Sequence, residues 1–203
     1  MKLQVAIDRV SLDEATAIIK EINTYTDIIE IGTSLIKEYG LHSLAPLTKS
    51  AILLGDIKTC DEGAYEFNLG FELGFKYLTV MGNSSFDTLK ICYQTAQQHQ
   101  QEIMIDLLEC SSEKIQSISY FSKAIYCLHT SVDTTNKLNP LIQIQQFKAQ
   151  FPQIKRIAVA GGISPEQLPK LKELNVEIAI IGSAITKHTD KKTICKQCKE
   201  LLK

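Results

Sequence analysis

Eight short apolar runs punctuate the chain: L-Q-V-A-I (3–7), I-I-E-I-G (28–32), A-I-L-L-G (51–55), Y-L-T-V-M (77–81), I-M-I-D-L (103–107), A-I-Y-C-L (124–128), I-A-V-A (157–160) and I-A-I-I (178–181). Their starts lie roughly 20 to 30 residues apart, the length of one strand, one helix and two loops. Most are continuously apolar rather than alternating, the pattern of strands covered on both faces. The segments between them carry helix signals. Ser11 with Glu14 three residues on has the form of a capping box, and Ser84 or Ser85 precedes D-T-L-K-I-C-Y-Q-T-A-Q-Q. Ser164-Pro165-Glu166-Gln167 reads as an N-cap, a first-turn proline and an acid behind it. A last helix is predicted through K-K-T-I-C-K-Q-C-K-E-L-L. Eight β–α units without linker, repeat or low-complexity stretch predict α/β architecture: a single (β/α)8 TIM barrel over 1–203. A doubly wound open sheet is the alternative, but it requires a glycine-rich first turn, and I-D-R-V-S has no glycine.

Composition narrows the function classes. The chain has 203 residues, 44% of them hydrophobic, and a net charge of -1, enough to bury a full core. Neither the charge balance nor any basic stripe offers a footprint for nucleic acid. The start M-K-L-Q-V-A-I-D meets an aspartate after one short apolar run, so no signal peptide is expected. No apolar stretch is long enough to span a bilayer, and a cytoplasmic protein without membrane contact is expected. Six cysteines then read as reduced thiols. Cys195 and Cys198 form a C-x-x-C in the terminal helix, but zinc would need two further ligands, so packing is the expected role.

The chemistry gathers where the apolar runs end. Read there, the strands offer Asp8, Glu30, Asp56 with Lys58, Asp106, His129, Gly161-Gly162 and Gly182-Ser183. A barrel brings all of these to one face, the face that hosts active sites. A lone strand-end aspartate is as often a helix cap, but six strands each ending in a polar group point to a site. Gly161-Gly162 and Gly182-Ser183 follow the last two strands, where barrels frequently bind phosphate through backbone N–H groups. Glu30 and Asp56, on neighbouring strands, supply hard oxygens for magnesium or manganese; the alternative is an ion pair with Lys58 or Arg9. Asp106 is left to orient a neighbour or contact a substrate hydroxyl. His129 is a candidate general base or a core histidine satisfied by backbone, whereas His42, His99 and His188 fall in helix or loop segments. In G-D-I-K-T-C-D-E (55–62), Lys58 stands between Asp56 and Asp61, and neighbouring carboxylates keep a lysine protonated. That suits an electrostatic partner of an oxyanion and not a Schiff base.

These motifs, V-A-I-D, D-I-I-E-I-G-T, G-D-I-K-T-C-D-E-G, H-T-S-V-D, V-A-G-G-I and I-G-S-A-I-T, resemble the orotidine-monophosphate decarboxylase superfamily across essentially the whole chain. Within it they are most similar to the hexulose-phosphate synthase family, with the keto-gulonate-phosphate decarboxylase family as its sister. The resemblance implies an aldol reaction joining D-ribulose 5-phosphate and formaldehyde, and its reverse, through a magnesium-stabilised enediolate. It implies Glu30 and Asp56 as metal ligands and His129 as the group that moves the C1 proton. Lys58 would lie near the enediolate, fixed by Asp8 and Asp61, which also bond substrate hydroxyls. It further implies a homodimer in which Asp61 reaches the neighbouring subunit's site, and a phosphate cradle at Gly161, Gly162, Gly182 and Ser183. Val132 stands where the decarboxylase family has an arginine, which argues against that activity. Ser183 replaces a frequent glycine but keeps its backbone N–H. A phosphosugar-binding barrel without catalysis is the remaining alternative.

Overall fold

The computed structural model describes residues 1–131, 133 and 139–202. Eight parallel strands close into one barrel in sequence order: β1 (Lys2–Ile7), β2 (Ile28–Ile31), β3 (Leu53–Thr59), β4 (Tyr77–Met81), β5 (Glu102–Asp106), β6 (Ile125–His129), β7 (Ile157–Ala160) and β8 (Ile178–Ile181). β8 returns to pair with β1, with Lys2 opposite Ile178. Around them lie α1 (Leu12–Ile22), α2 (Thr33–Leu44, bent at Gly40), α3 (Gly63–Glu72), α4 (Phe86–Gln98), α5 (Ser112–Ile118), α6 (Pro140–Gln150), α7 (Leu168–Glu173), α8 (Ser183–Thr186) and α9 (Lys191–Leu201). The predicted barrel is the observed one.

Two apolar layers follow from strand periodicity. Alternate residues such as Leu78 and Val80 face the helices and join the large core between sheet and helix ring. The intervening residues fill the barrel: Ala6, Ile28, Leu54, Tyr77, Met104, Ile125, Cys127, Ala158, Ile178 and Ile180, with members on all eight strands and none on a helix. Cys195 and Cys198 are fully buried in the outer core and serve packing, as their spacing on an amphipathic helix requires. Among the described residues no helix is long and apolar enough to cross a membrane.

The capping residues act where expected. The Ser11 hydroxyl accepts from the Glu14 N–H and the Ser85 hydroxyl from the Thr88 N–H, each satisfying an otherwise orphaned first-turn donor. Ser164 and Gln167 form a full capping box, but over a 3-10 turn (Pro165–Gln167) that leads into α7.

The end of the barrel opposite the strand C-termini is closed by charge. Arg156, just before β7, meets both oxygens of Glu102 at 2.7 and 3.2 Å and both of Glu177 at 2.7 and 2.9 Å. It also donates to the Lys123 carbonyl at 2.6 Å, so one guanidinium fork ties the starts of β5, β7 and β8 to the loop before β6.

Candidate active site

The third strand runs further than its apolar run. A-I-L-L-G predicts a strand ending at Gly55, yet β3 continues to Thr59 and carries Asp56 and Lys58 inside it. The continuation is not regular. Gly55 pairs with Leu78 and Thr59 with Val80, so four steps on β3 oppose two on β4, and the strand bulges. At the bulge Lys58 adopts φ +48°, the left-handed region that costs a non-glycine residue about 1–3 kcal/mol. The backbone N–H of Lys58 bonds the Thr79 hydroxyl at 2.9 Å.

Lys58 projects into the mouth between two carboxylates. Its ammonium lies 2.6 Å from Asp106 Oδ2, and 3.2 and 3.1 Å from Asp56 Oδ1 and Oδ2. Burial opposes its charge, but the Asp56 and Asp106 charges and hydrogen bonds override that and raise its pKa above the ordinary lysine value. Within one chain, neither Asp8 nor Asp61 is bonded to Lys58 among the described residues. Asp61 is exposed and its Oδ1 accepts from the Glu62 N–H at 2.8 Å, while Asp8 Oδ1 accepts from the Ser34 hydroxyl at 3.0 Å. The bulge turns the lysine inward, toward β5, and away from the loop that carries Asp61.

Asp106 is the centre of the site. The same Oδ2 that receives Lys58 lies 2.9 Å from His129 Nδ1, and Oδ1 accepts from the Leu108 N–H at 2.9 Å. Burial pushes this carboxyl up, but the His129 hydrogen bond and the Lys58 charge outweigh it and hold its pKa down at about 2. His129 is thus held through Nδ1 by a carboxylate and not by backbone, and among the described residues Nε2 has no partner.

Asp56 is buried and held on all sides. Thr33 Oγ1 donates to Oδ2 at 2.6 Å and Thr79 Oγ1 to Oδ1 at 2.8 Å. Glu30, on β2, accepts from the Gln4 amide at 2.6 Å. Burial, then the nearby Asp56 charge, push the Glu30 carboxyl up to about 8. Two hard carboxylates pressed together suit a divalent cation, which would relieve the repulsion. Among the described residues no third His, Cys, Asp or Glu joins a metal-binding cluster. That donor set fits magnesium, which keeps several waters and takes one or two carboxylates, better than zinc.

The glycine turns stand at the ends of β7 and β8. Gly161 and Gly162 have φ +96° and +74°, conformations open to glycine. A Cβ on Gly161 would also meet the Thr130 carbonyl oxygen at 2.4 Å, whereas one on Gly162 meets nothing within 4 Å. Gly182 and Ser183 open α8 on the neighbouring strand. Asp8, Glu30, Asp56, Lys58, His129 and both glycine turns thus share one end of the barrel. Val132 lies outside the described residues.

Thr33, Thr79 and Gln4 were not singled out by the sequence. Threonine and an isolated glutamine in or beside strand-like runs carry no signal of their own, and only the registers of β1 with β2 and β3 with β4, and the turn from β2 into α2, place them against Asp56 and Glu30.

The sequence profile of the orotidine 5'-phosphate decarboxylase / HUMPS family matches residues 1–198. A protein of Mycobacterium gastri named 3-hexulose-6-phosphate synthase is 31% identical over 206 residues, with 97% of each chain covered. One of the same name from Bacillus subtilis (strain 168) is 28% identical over 208 residues, covering 100% of this chain and 99% of its own. A crystal structure of 3-hexulose-6-phosphate synthase from Salmonella typhimurium superposes with a TM-score of 0.91 at 26% identity, over 100% of this chain and 98% of that one.

Proposed function

The chain belongs to the orotidine 5'-phosphate decarboxylase / HUMPS family, and from that premise we propose that it is a 3-hexulose-6-phosphate synthase, a lyase that condenses D-ribulose 5-phosphate with formaldehyde and runs the reverse cleavage. One observation carries the reading at the level of chemistry: the Lys58 ammonium and the His129 imidazole converge on a single oxygen of Asp106. An ammonium fixed beside a base is what proton abstraction next to a ketone requires, because the base takes the proton while the cation meets the charge left on oxygen.

In the forward direction His129, through Nε2, takes a proton from C1 of the ketose. The electron pair of that C–H bond becomes the enediolate, whose oxygens Lys58 faces with its charge. C1 then forms a carbon–carbon bond to formaldehyde, the carbonyl π pair moves to oxygen, and that oxygen takes up the proton His129 had removed, which restores the neutral imidazole. Asp106 holds the imidazole and the ammonium in place throughout. Magnesium, or manganese in second place, would be held by Glu30 and Asp56 and would supply Lewis-acid stabilisation of the substrate oxygens. Gly161, Gly162, Gly182 and Ser183 would receive the phosphate through backbone N–H groups.

We assign Asp8 to the substrate hydroxyls and Asp61 to the site of a second copy in a homodimer. The exposure of Asp61, bonded among the described residues only to its neighbour's N–H, supports the latter, as does the exposed Tyr65 on the helix that follows. Described thiols that are all free suit a reducing compartment, and we place the protein in the cytoplasm.

The test incubates the protein with ribulose 5-phosphate, formaldehyde and magnesium and follows formaldehyde loss. A parallel reaction with 3-keto-L-gulonate 6-phosphate follows carbon dioxide. Formaldehyde loss is expected. Carbon dioxide release alone would assign the decarboxylase, and phosphosugar binding without either reaction would assign a binding protein.

A further inference from the structure

We infer that Thr79 is a positioning residue for this reaction, acting through the backbone of Lys58 and the carboxylate of Asp56. Its hydroxyl is placed to serve two partners at once. The oxygen accepts the Lys58 backbone N–H at 2.9 Å, and the proton goes to Asp56 Oδ1 at 2.8 Å. The residue is buried, on β4, between Leu78 and Val80, the two positions that bracket the bulge of β3.

The bulge explains why such a residue is needed. In a regular parallel pair the Lys58 N–H would find a ladder carbonyl on the neighbouring strand. Here β3 spends four residue steps against two on β4, so that carbonyl is out of register. A buried N–H without a partner is costly, and a lysine at φ +48° persists only where its surroundings over-determine it. The Thr79 side chain replaces the missing ladder bond. The same hydroxyl then fixes Asp56 relative to Lys58, so the carboxylate and the ammonium are set against each other by one atom. Thr33 makes a different contribution: it bonds Asp56 alone, at 2.6 Å to Oδ2 and 2.9 Å to the carbonyl. The inference rests on the aldol reading for its kinetic test only.

The experiment compares Thr79→Val, Thr79→Ser and Thr33→Val with the wild-type protein. In Thr79→Val, kcat should fall about 100-fold, the size expected when reacting groups shift by about an ångström, with KM changed less than about threefold. Thr79→Ser keeps both hydrogen bonds and should stay within about fivefold of wild type. Thr33→Val should lose less than Thr79→Val. In a Lys58→Ala background, adding Thr79→Val should cost less than about tenfold more, because coupled residues are not additive. Independently of turnover, hydrogen exchange at the Lys58 amide should be slow in the wild type and in Thr79→Ser and accelerate in Thr79→Val. If Thr79→Val does not fold, Thr79→Ala, which also lacks the hydroxyl, takes its place with the same expectations. Folded Thr79→Val protein with kcat within twofold of wild type, equal losses in Thr79→Ser and Thr79→Val, or unchanged Lys58 exchange would each overturn the inference. An inactive wild type would overturn the aldol reading instead, and amide exchange would still decide the role of Thr79.

Discussion

Replacing Asp106 by asparagine removes one charge from the centre of the site with almost no change in shape. The wild-type carboxyl is held at about 2 against an ordinary value of 3.8, and its side chain is only 4% exposed, so solvent screens little of the effect. At 1.36 kcal/mol per pKa unit, the charged form is favoured in the folded state by about 2–3 kcal/mol. Because the folded value lies below the unfolded one, that contribution is complete above about 4 and disappears as pH falls toward 2. Asp106→Asn should therefore lower stability by about 2–3 kcal/mol at neutral pH and flatten the acid limb of the stability curve between those values. The functional loss should be larger in relative terms. Lys58 keeps only the charge of Asp56 among the described carboxylates, the single amide oxygen cannot accept from Leu108 and from the Lys58–His129 pair at once, and kcat should fall about 10²–10³-fold, the range for losing one preorganised electrostatic group. Denaturant unfolding across the acid range and the formaldehyde-loss assay read the two effects separately. Turnover within threefold of wild type, or an acid limb unchanged by the substitution, would refute the central role given to this carboxylate.

Three further outcomes are expected. If Asp61 completes the site of a second copy, mixing inactive Asp61→Ala and His129→Ala proteins should restore activity in hybrid dimers, and no recovery despite demonstrated subunit exchange contradicts a shared site. Because Glu30 sits at about 8, above its ordinary 4.5, the metal-free protein should lose stability as pH rises between those values; protons also compete with a cation, so magnesium should raise Tm more above pH 8 than well below it. A magnesium effect that is the same at both pH values removes Glu30 from the metal site, and activity indifferent to a chelator removes the metal. Gly161→Ala, whose Cβ would lie 2.4 Å from the Thr130 carbonyl oxygen, should destabilise by about 1–3 kcal/mol and weaken inhibition by inorganic phosphate; Gly162→Ala, in open space, should cost only the strain of its φ of about 1 kcal/mol. Equal behaviour of the two variants in thermal unfolding and inhibition assays would separate the turn from phosphate binding.

The barrel was legible because its strands announce themselves: buried on both faces, they must be apolar throughout, and eight such runs at one spacing admit few architectures. The residues of the mouth were legible for the complementary reason, since a polar side chain at the end of such a run has to be explained. Their pairing was harder to see. D-I-K-T-C-D places Lys58 nearest Asp56 and Asp61 along the chain, but a bulge and one left-handed residue redirect it toward Asp106, 48 positions away. No local pattern encodes that choice. Asp106 carried only the general prospect of orienting a neighbour or contacting a substrate hydroxyl, and its role as the meeting point of Lys58 and His129 depends on β3, β4, β5 and β6 standing side by side in the closed sheet. Thr79 was invisible for a further reason: threonine is an ordinary strand former, so its presence in Y-L-T-V-M needs no explanation until its hydroxyl is placed.

The Arg156 clamp gives the molecule a division of labour that matters to anyone who would rebuild it. Its carboxylate partners, Glu102 and Glu177, lie at the strand starts, a full strand length from the mouth. Closure of β5, β7 and β8 is therefore secured by groups that take no part in the chemistry. Substitutions at the two ends share no partners and should combine additively. Loops at the mouth could be exchanged to admit other aldehydes or other sugar phosphates while the clamp keeps the cylinder shut, which makes this end the place to graft new specificity and the other end the place to leave alone.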